Sequence, residues 1–352
     1  MVDSLITSNF ANLIKDVINR PTKILVTGGT GFLGAYIIKE LVDRKYKVRA
    51  TRRTGHLPFF IAPDILSQVE WYDGDILDVV SLEEAMQGVD TIIHAAAKVS
   101  FRANDRDEMF RTNIEGTANV VNLAIEQQIS KMIYVSSVAA IGRVKNGGTV
   151  NEKQKWQESP LNTNYAISKY HAEMEVWRGM GEGLNVTVVN PSTILGYGDW
   201  NTSSCALFKN VYREFPWYTT GVNGFVDVED VARAVVLLLD TPSNGERFIL
   251  NGDNWSFRQL FNQMAAGFSK KPPHREATSF LAEIAWRMDK LKSVFTGKPS
   301  LLTKESARVS QTKTYFDNHK ILDTLPGFSF TPLSETISRA CNQYLQSSQT
   351  HR

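Results

Sequence analysis

Residues 24–34 read ILVTGGTGFLG, an apolar strand that passes through a glycine-rich turn into a helical pattern. Gly28 permits the tight turn, Gly31 lets the backbone approach a pyrophosphate, and Gly34 lets the helix pack closely on the strand. The free N–H groups at the start of such a helix bind an anion. This stretch therefore predicts a dinucleotide-binding strand-turn-helix unit.

The same alternation of short apolar strands and amphipathic helices continues to about residue 190, which is typical of a parallel sheet covered on both faces. Strands are predicted at Lys23–Val26, Lys47–Ala50, Val69–Tyr72, Thr91–His94, Met132–Val135 and Val186–Asn190. Helices are predicted at Ser4–Ile18, Leu33–Asp43, Ser81–Gln87, Glu108–Gln127 and Tyr165–Arg178. The predicted fold class is α/β, a doubly wound parallel (Rossmann) sheet with a smaller, discontinuous C-terminal substrate lobe.

The alternation fails from about residue 192, except at Val228–Asp240 and Arg247–Leu250, which we expect to return to the first domain. Residues 1–21 are then an N-terminal helical extension, 22–191 plus 226–252 the dinucleotide-binding domain, and 192–225 plus 253–345 the smaller lobe. That lobe has an aromatic-rich stretch that either lines an apolar pocket or forms an ordinary core, namely Phe208, Tyr212, Phe215, Trp217, Tyr218 and Phe225.

Composition restricts the class of partner. The chain has 352 residues, of which 42% are hydrophobic and 22% charged, and its formal net charge is +2. This balance does not predict a basic face that would bind nucleic acid or anionic lipid. Cys205 and Cys341 lie outside metal-binding spacings and are expected to be buried thiols, with no metal site. Neither a signal peptide nor an apolar run of about 18 residues is present. We expect a cytoplasmic protein with a small-molecule substrate, no nucleic acid and no membrane partner.

Two arginines bear on the choice of coenzyme. The second strand ends in Arg52 and Arg53, where an NAD-specific site usually has an acid, and residues 44–63 contain no Asp or Glu. A guanidinium pairs with a 2′-phosphate that a carboxylate would repel. NADP is therefore favoured and NAD stays possible, the alternative being that the arginines are solvated surface charges. After the third strand, Asp75 is expected to meet the adenine amino group, with Ile76 against the ring.

A catalytic pair is predicted on the helix that follows the fifth strand. Of eleven tyrosines, only Tyr165 has a lysine four residues later, and this spacing places Tyr165 and Lys169 on one helix face. The ammonium is expected to lower the tyrosine pKa from about 10, so that the phenol exchanges a proton with a carbonyl or alcohol oxygen. The fifth strand ends in Ser136-Ser137, at the edge where open α/β sheets bind ligands. The pattern predicts a dinucleotide-dependent oxidoreductase.

These residues together resemble one family, the extended short-chain dehydrogenase/reductases, also called the NAD-dependent epimerase/dehydratase family. The resemblance covers about residues 22–340 and rests on TGGTGFLG at 27–34, Asp75-Ile76, HAAA at 94–97, NIEGT at 113–117, Ser136-Ser137, Tyr165 to Lys169 and FVDV at 225–228. It implies that Ser137 is the catalytic serine and that Asn113 supports the active-site helix. It implies coenzyme contacts by Gly28, Thr30, Gly31, Phe32, Leu33, Gly34, Ala95, Ala96, Ala97, Tyr165, Lys169, Pro191 and Ser192.

The resemblance also bears on assembly and on the branch of the family. It implies a homodimer in which Glu108–Gln127 and Tyr165–Arg178 form a four-helix bundle, and it leaves Asn190 where an arginine is frequent. Sugar-nucleotide dehydratases resemble one another in an acid pair after the catalytic serine, whereas residues 138–140 here are Val-Ala-Ala. The chain looks most like the branch of dihydroflavonol reductases and 3β-hydroxysteroid dehydrogenases, which act on apolar ketones, aldehydes or alcohols. A nucleotide-sugar epimerase and a non-catalytic dinucleotide-binding redox sensor are the alternatives.

Overall fold

The computed structural model describes residues 23–142, 148–159, 162–278 and 310–350. The helix predicted at Ser4–Ile18 lies outside these residues. The strands are β1 Ile24–Thr27, β2 Val48–Arg52, β3 Glu70–Asp73, β4 Thr91–His94, β5 Lys131–Val135, β6 Thr149–Val150, β7 Val186–Pro191, β8 Thr193–Leu195, β9 Trp217–Tyr218, β10 Val222–Asp227, β11 Glu246–Leu250, β12 Asp253–Ser256, β13 Arg275–Glu276 and β14 Tyr315–Phe316.

The described α-helices alternate with these strands along most of the chain. They are α1 Phe32–Asp43, α2 Pro63–Leu66, α3 Val79–Met86, α4 Arg106–Phe110, α5 Gly116–Glu126, α6 Asn164–Gly181, α7 Ala206–Tyr212, α8 Val228–Leu237, α9 Phe257–Gly267, α10 His319–Thr324 and α11 Leu333–Thr350. None of these helices is both long and apolar enough to cross a membrane.

Seven strands form the main sheet in the order β11-β7-β5-β4-β1-β2-β3, and all of its pairs are parallel. The chain runs outward from β1 to β3 and then returns to β4 on the other side of β1. At such a reversal the connections leave in opposite directions, which opens a crevice at the carboxyl ends of the two central strands. Thr27 and His94 face each other there, at the ends of β1 and β4.

Both faces of this sheet are covered, which is why β1 and β4 are buried along their whole length. On one face, Ile37 of α1 and Val235 of α8 pack in a common apolar core. On the other, Val120 of α5 and Val176 of α6 do the same. The prediction of a doubly wound parallel sheet is confirmed.

A third apolar core lies in the C-terminal part of the chain. β10 pairs in parallel with β8 and antiparallel with β12, and α7, α9 and α11 pack nearby. Phe208 and Phe225 are fully buried in this core, whereas Phe215 is half exposed. Two members of the aromatic stretch are thus core residues and not pocket lining. The free thiols of Cys205 and Cys341 are buried, as expected.

Polar contacts at the start of α8 join this C-terminal core to the core that contains Ile37 and Val235. Asp227 caps this helix by accepting from the Glu229 backbone N–H at 2.8 Å. The same buried carboxylate accepts from the Thr336 hydroxyl of α11 at 2.7 Å and pairs with Arg339. These bonds hold α11 against the junction of β10 and α8, while the exact division of the chain into domains stays a prediction.

Candidate active site

The glycine loop lies at the carboxyl end of β1 and fits closely against the chain after β4. Gly28 has φ +72°, and a Cβ there would come within 2.7 Å of the Ala96 Cα. A Cβ at Gly34 would lie 2.2 Å from the Gly28 carbonyl oxygen, so α1 could not start as close to the loop. Gly31 donates to that same oxygen at 2.9 Å and is itself exposed. The loop is a side-chain-free cradle of the kind that a pyrophosphate requires.

The predicted residues around this cradle are brought together at one edge of the sheet. Ala95 and Ala96 directly follow β4 and are half-buried beside the loop, and Ala97 is exposed. The half-buried side chains on the loop side are Thr30, Phe32 and Leu33. The carboxyl ends of two adjacent strands thus supply both walls of the cradle.

The candidates for the adenosine end have different surroundings. Arg52 donates to the Asp73 carboxylate at 2.7 Å, while the described residues give the exposed Arg53 side chain neither a hydrogen bond nor an ion pair. Asp75 uses one carboxylate oxygen to accept from the Leu77 backbone at 3.0 Å, which fixes the turn after β3. Ile76 is buried in the core against α5, so its side chain is less available for the adenine than the sequence pattern implies.

The predicted catalytic serine and tyrosine meet. Tyr165, in the first turn of α6, is half-buried, and its phenol interacts with the side chain of Ser137, which follows β5. Burial raises the pKa of Tyr165, and the interaction with Ser137 partly opposes that rise. The Ser137 oxygen also accepts from the Ala139 backbone at 3.1 Å, which holds it at the strand end.

The contacts of Lys169 bear on the expectation that its ammonium lowers the pKa of Tyr165. Its Nζ donates to the Tyr134 hydroxyl and to the Val135 carbonyl oxygen, each at 2.9 Å. Burial lowers the pKa of Lys169 to about 7, with Glu173 acting in the opposite direction. The expected lowering of the Tyr165 pKa by this ammonium is wrong here, because Lys169 bonds to β5 and desolvation of the phenol is the larger effect.

Asn113 lies in a π-helical turn, Arg111–Glu115, between α4 and α5. Its amide donates to the Lys98 carbonyl at 2.9 Å and to the Ser168 hydroxyl at 3.0 Å, and its oxygen accepts from the Lys98 backbone at 2.7 Å. Asn113 therefore ties the loop after β4 to the helix that carries Tyr165 and Lys169. π-Turns of this kind are frequent at functional sites.

Two buried side chains near this centre were not predicted. Glu173 accepts from the Ser136 hydroxyl at 2.6 Å and from Asn190 at 2.9 Å. Asn190, the departure from the family pattern, is thus buried toward Glu173, and it also donates to the Ser137 carbonyl at 3.0 Å. The four-residue interval from Lys169 to Glu173 repeats the interval from Tyr165 and is the sequence signal that could have identified this acid.

The other unpredicted side chain is His94, at the end of β4. Its Nδ1 is 2.6 Å from the Thr27 hydroxyl, and its Nε2 is 3.0 Å from the Thr117 hydroxyl. Desolvation lowers the pKa of His94 to about 3, and the nearby Lys169 adds to this. The histidine is therefore neutral near pH 7 and joins β1, β4 and α5 beneath the crevice.

Further features suit a coenzyme and a partly apolar substrate. Pro191 ends β7, and the hydroxyl of the buried Ser192 has no hydrogen-bond partner among the described residues. An unsatisfied buried hydroxyl is costly and is commonly satisfied by a ligand or water.

Two apolar side chains of the loop after β4, Phe101 and Val99, are exposed. The Phe101 ring lies edge-on to the Tyr165 ring, with the two centroids 6.2 Å apart.

Comparison with known proteins gives consistent results. Residues 24–251 match the model of the NAD dependent epimerase/dehydratase family. A Synechocystis sp. protein assigned as a dihydroflavonol 4-reductase is 31% identical, over 91% of this chain and 93% of its own length. Sterol demethylase protein B of Methylococcus capsulatus is 34% identical, over 67% of this chain and 71% of its own length. The crystal structure of gox2253 superposes with a TM-score of 0.78 at 27% identity, covering 93% and 98% of the two chains.

Proposed function

The chain belongs to the NAD dependent epimerase/dehydratase family, and from that premise we propose that it reduces the ketone or aldehyde of a small, apolar substrate with NADPH. The reverse oxidation of the alcohol uses the same groups. The observation that carries the proposal is that Ser137 interacts with Tyr165, one helical turn from Lys169, at the carboxyl edge of the sheet. This set can bind a carbonyl oxygen and protonate it.

The coenzyme would be held at three places. Gly28, Gly31 and Gly34 would take the pyrophosphate, Arg53 the 2′-phosphate, and Ser192 the nicotinamide end, where its buried hydroxyl lacks a described partner. Asp75 has a second carboxylate oxygen for the adenine. When bound, the nicotinamide ring exchanges a hydride with the substrate carbon.

The proton chemistry falls to the chain's own residues. Because burial raises its pKa, Tyr165 is a protonated phenol near pH 7, which is the form needed to give a proton to a carbonyl oxygen. Ser137 would hydrogen-bond the same oxygen and hold it within reach. The protonated amine of Lys169, one helical turn away, would add a positive charge that favours the phenolate left after proton transfer, although burial of the phenol is the larger effect in the coenzyme-free protein. Asn113 keeps this helix in register with the loop after β4.

The apolar character of the substrate is supported by side chains near the reacting centre. Phe101 is exposed and its ring lies edge-on to that of Tyr165, and Val99 is exposed two residues earlier. Apolar side chains favour an apolar substrate over the charged diphosphate of a sugar nucleotide. The names of two relatives, a dihydroflavonol reductase and a sterol demethylase protein, point the same way.

An assay of purified protein with a carbonyl panel tests the proposal. Aryl ketones, aryl aldehydes and steroid ketones are offered with NADPH or NADH, and the absorbance of the reduced nicotinamide is followed, with Tyr165→Phe as the inactive control. We expect oxidation of NADPH with at least one apolar carbonyl. Interconversion of nucleotide sugars without net coenzyme change would instead establish an epimerase. Tight coenzyme binding with no turnover of either class would indicate a redox sensor.

We also propose a homodimer through α5 and α6, in line with the family resemblance. Several side chains on these helices remain exposed, including Met174 and Asn122. Residence in the cytoplasm is likewise part of this proposal.

A further inference from the structure

Tyr165, Lys169 and Glu173 follow one another at four-residue intervals on α6 and therefore lie on one face of that helix. Glu173 is only 2% exposed. The reaction proposed above uses the tyrosine and the lysine but gives this buried carboxylate no role. Burying a charge is expensive unless its bonding capacity is satisfied, so its presence one turn beyond the lysine requires an explanation.

Four donors from four different elements satisfy the Glu173 carboxylate. One oxygen accepts from Ser136, directly after β5, at 2.6 Å and from Asn190 of β7 at 2.9 Å. The other accepts from Arg247 of β11 at 3.0 Å and from Trp177 of α6 at 3.2 Å. The carboxylate is thus fixed relative to three strands of the main sheet.

The position of the Glu173 carboxylate connects it to Ser137 and to Lys169, the two residues that act with Tyr165 in the proposed reaction. Through Asn190, which also donates to the Ser137 carbonyl at 3.0 Å, the carboxylate is connected to the backbone of the catalytic serine. Along the helix it lies one turn from Lys169, whose buried ammonium has neutral oxygens as its bonded partners among the described residues. We propose that Glu173 is a positioning residue that keeps Lys169 protonated and Ser137 in place.

The charges around Lys169 support this role. The titratable groups that face it are Tyr134 on β5, His94 on β4, and Tyr165 and Glu173 on its own helix. Burial keeps the phenol of Tyr134 protonated, since its pKa is raised, and keeps His94 neutral, since its pKa is lowered to about 3. Glu173 is then the negative charge that acts on Lys169 and opposes the effect of burial on the lysine pKa. Arg247, beyond Glu173, offsets part of that charge.

A titration of the coenzyme-free protein tests the charge directly. The ε-carbon of Lys169 is followed by NMR against pH in wild type, in Glu173→Gln and in the control Glu175→Gln, which removes a less buried acid from the same helix. We expect the Lys169 midpoint to fall by at least about one pH unit in Glu173→Gln and to stay in place in Glu175→Gln. A midpoint that does not move in Glu173→Gln overturns the proposal.

A second variant guards against misfolding of Glu173→Gln. Arg247 is partly exposed, so Arg247→Gln removes the competing cation with less disturbance of the core. Its expected effect has the opposite sign, a rise of the Lys169 midpoint, because more of the Glu173 charge then acts on the lysine. A fall, or no change, in Arg247→Gln also overturns the proposal.

The effect on turnover rests on the proposed function and is separable from the titration. If Lys169 must be protonated, turnover declines as pH rises through the pKa of Lys169, and in Glu173→Gln that decline moves to lower pH by the same amount as the NMR midpoint. Mere structural damage would reduce turnover at every pH without moving the decline, which would count against the proposal. A wild-type protein that turns over no carbonyl would overturn the proposed function, and the NMR midpoints alone would then decide the role of Glu173.

Discussion

Lys169 donates a hydrogen bond to the hydroxyl of Tyr134 at 2.9 Å, so the lysine that follows the proposed catalytic tyrosine by one turn is anchored on β5. A second bond, to the Val135 carbonyl, comes from the same strand. Because Ser137 comes two residues after Val135, just beyond the end of β5, one backbone segment positions both Lys169 and Ser137. The catalytic geometry therefore depends on the packing of α6 against β5 and not on the helix alone.

Tyr165→Phe is expected to reduce turnover by more than tenfold and to leave coenzyme affinity within a few fold, because the phenol acts on the reacting oxygen and not on the dinucleotide. Steady-state rates and calorimetric titration with NADPH measure the two effects. Lys169→Met is the informative comparison, since it should weaken both. Turnover within tenfold of wild type in Tyr165→Phe would remove the tyrosine from the mechanism.

Arg53→Ala should weaken NADPH binding about tenfold to hundredfold and spare NADH, because a charge-assisted bond to the 2′-phosphate is worth roughly 1.5–3 kcal/mol. Arg52→Ala is the matched control, since Arg52 is already paired with Asp73 at 2.7 Å. Calorimetry at matched salt measures the affinities of the wild type and both variants for NADPH and NADH. Equal binding of NADH and NADPH by the wild type would mean that both arginines are surface charges.

Gly34→Ala is expected to destabilise the fold by about 1–3 kcal/mol and to impair coenzyme binding, because the added Cβ would lie 2.2 Å from the Gly28 carbonyl oxygen. Gly55→Ala is the control, since nothing lies within 4 Å of a Cβ at that position. Urea unfolding and NADPH titration give the two readouts. If the two variants were equally stable, the close approach of α1 to the loop would not be needed.

His94→Gln should make the protein less sensitive to acid. The folded-state pKa of His94 is about 3, below its ordinary value of 6.5, so between these pH values the unfolded chain binds a proton here that the folded chain does not. The free energy of unfolding of the wild type therefore decreases as pH falls through this window, by up to about 1.4 kcal/mol per pH unit more than in the variant. Urea titrations from about pH 7 to about pH 4.5 measure the difference. Parallel curves would refute the assigned protonation state.

Light scattering at micromolar concentration should give the mass of a dimer. In Met174→Glu, a charge on the exposed face of α6 should shift the equilibrium toward monomer while the circular dichroism spectrum stays unchanged. Val80→Glu, which alters an exposed apolar residue on α3, should leave the mass unchanged. A wild type that scatters as a monomer throughout would refute assembly through α5 and α6.

The sequence by itself determined those features that depend on near neighbours in the chain. The turn at Gly28 and Gly34 is recognisable because the residue types that permit it lie within one strand-turn-helix unit. The pairing of Tyr165 with Lys169 on one face follows from helical periodicity alone. The alternation of strands and helices predicted the doubly wound sheet for the same reason, since each element has its own period.

Only the tertiary structure decided which distant side chains surround the site. Tyr134 meets Lys169 across 35 positions of the chain, and Asn190 meets Glu173 across 17. His94 and Thr27 meet across 67, because β1 and β4 became neighbours in the sheet. Strand order sets such contacts, and local periodicity carries no record of it. For this reason the sequence predicted that Lys169 shares a helix face with Tyr165 but did not predict its partner Tyr134, and the desolvation that raises the pKa of Tyr165 became evident only once the packing around it was known.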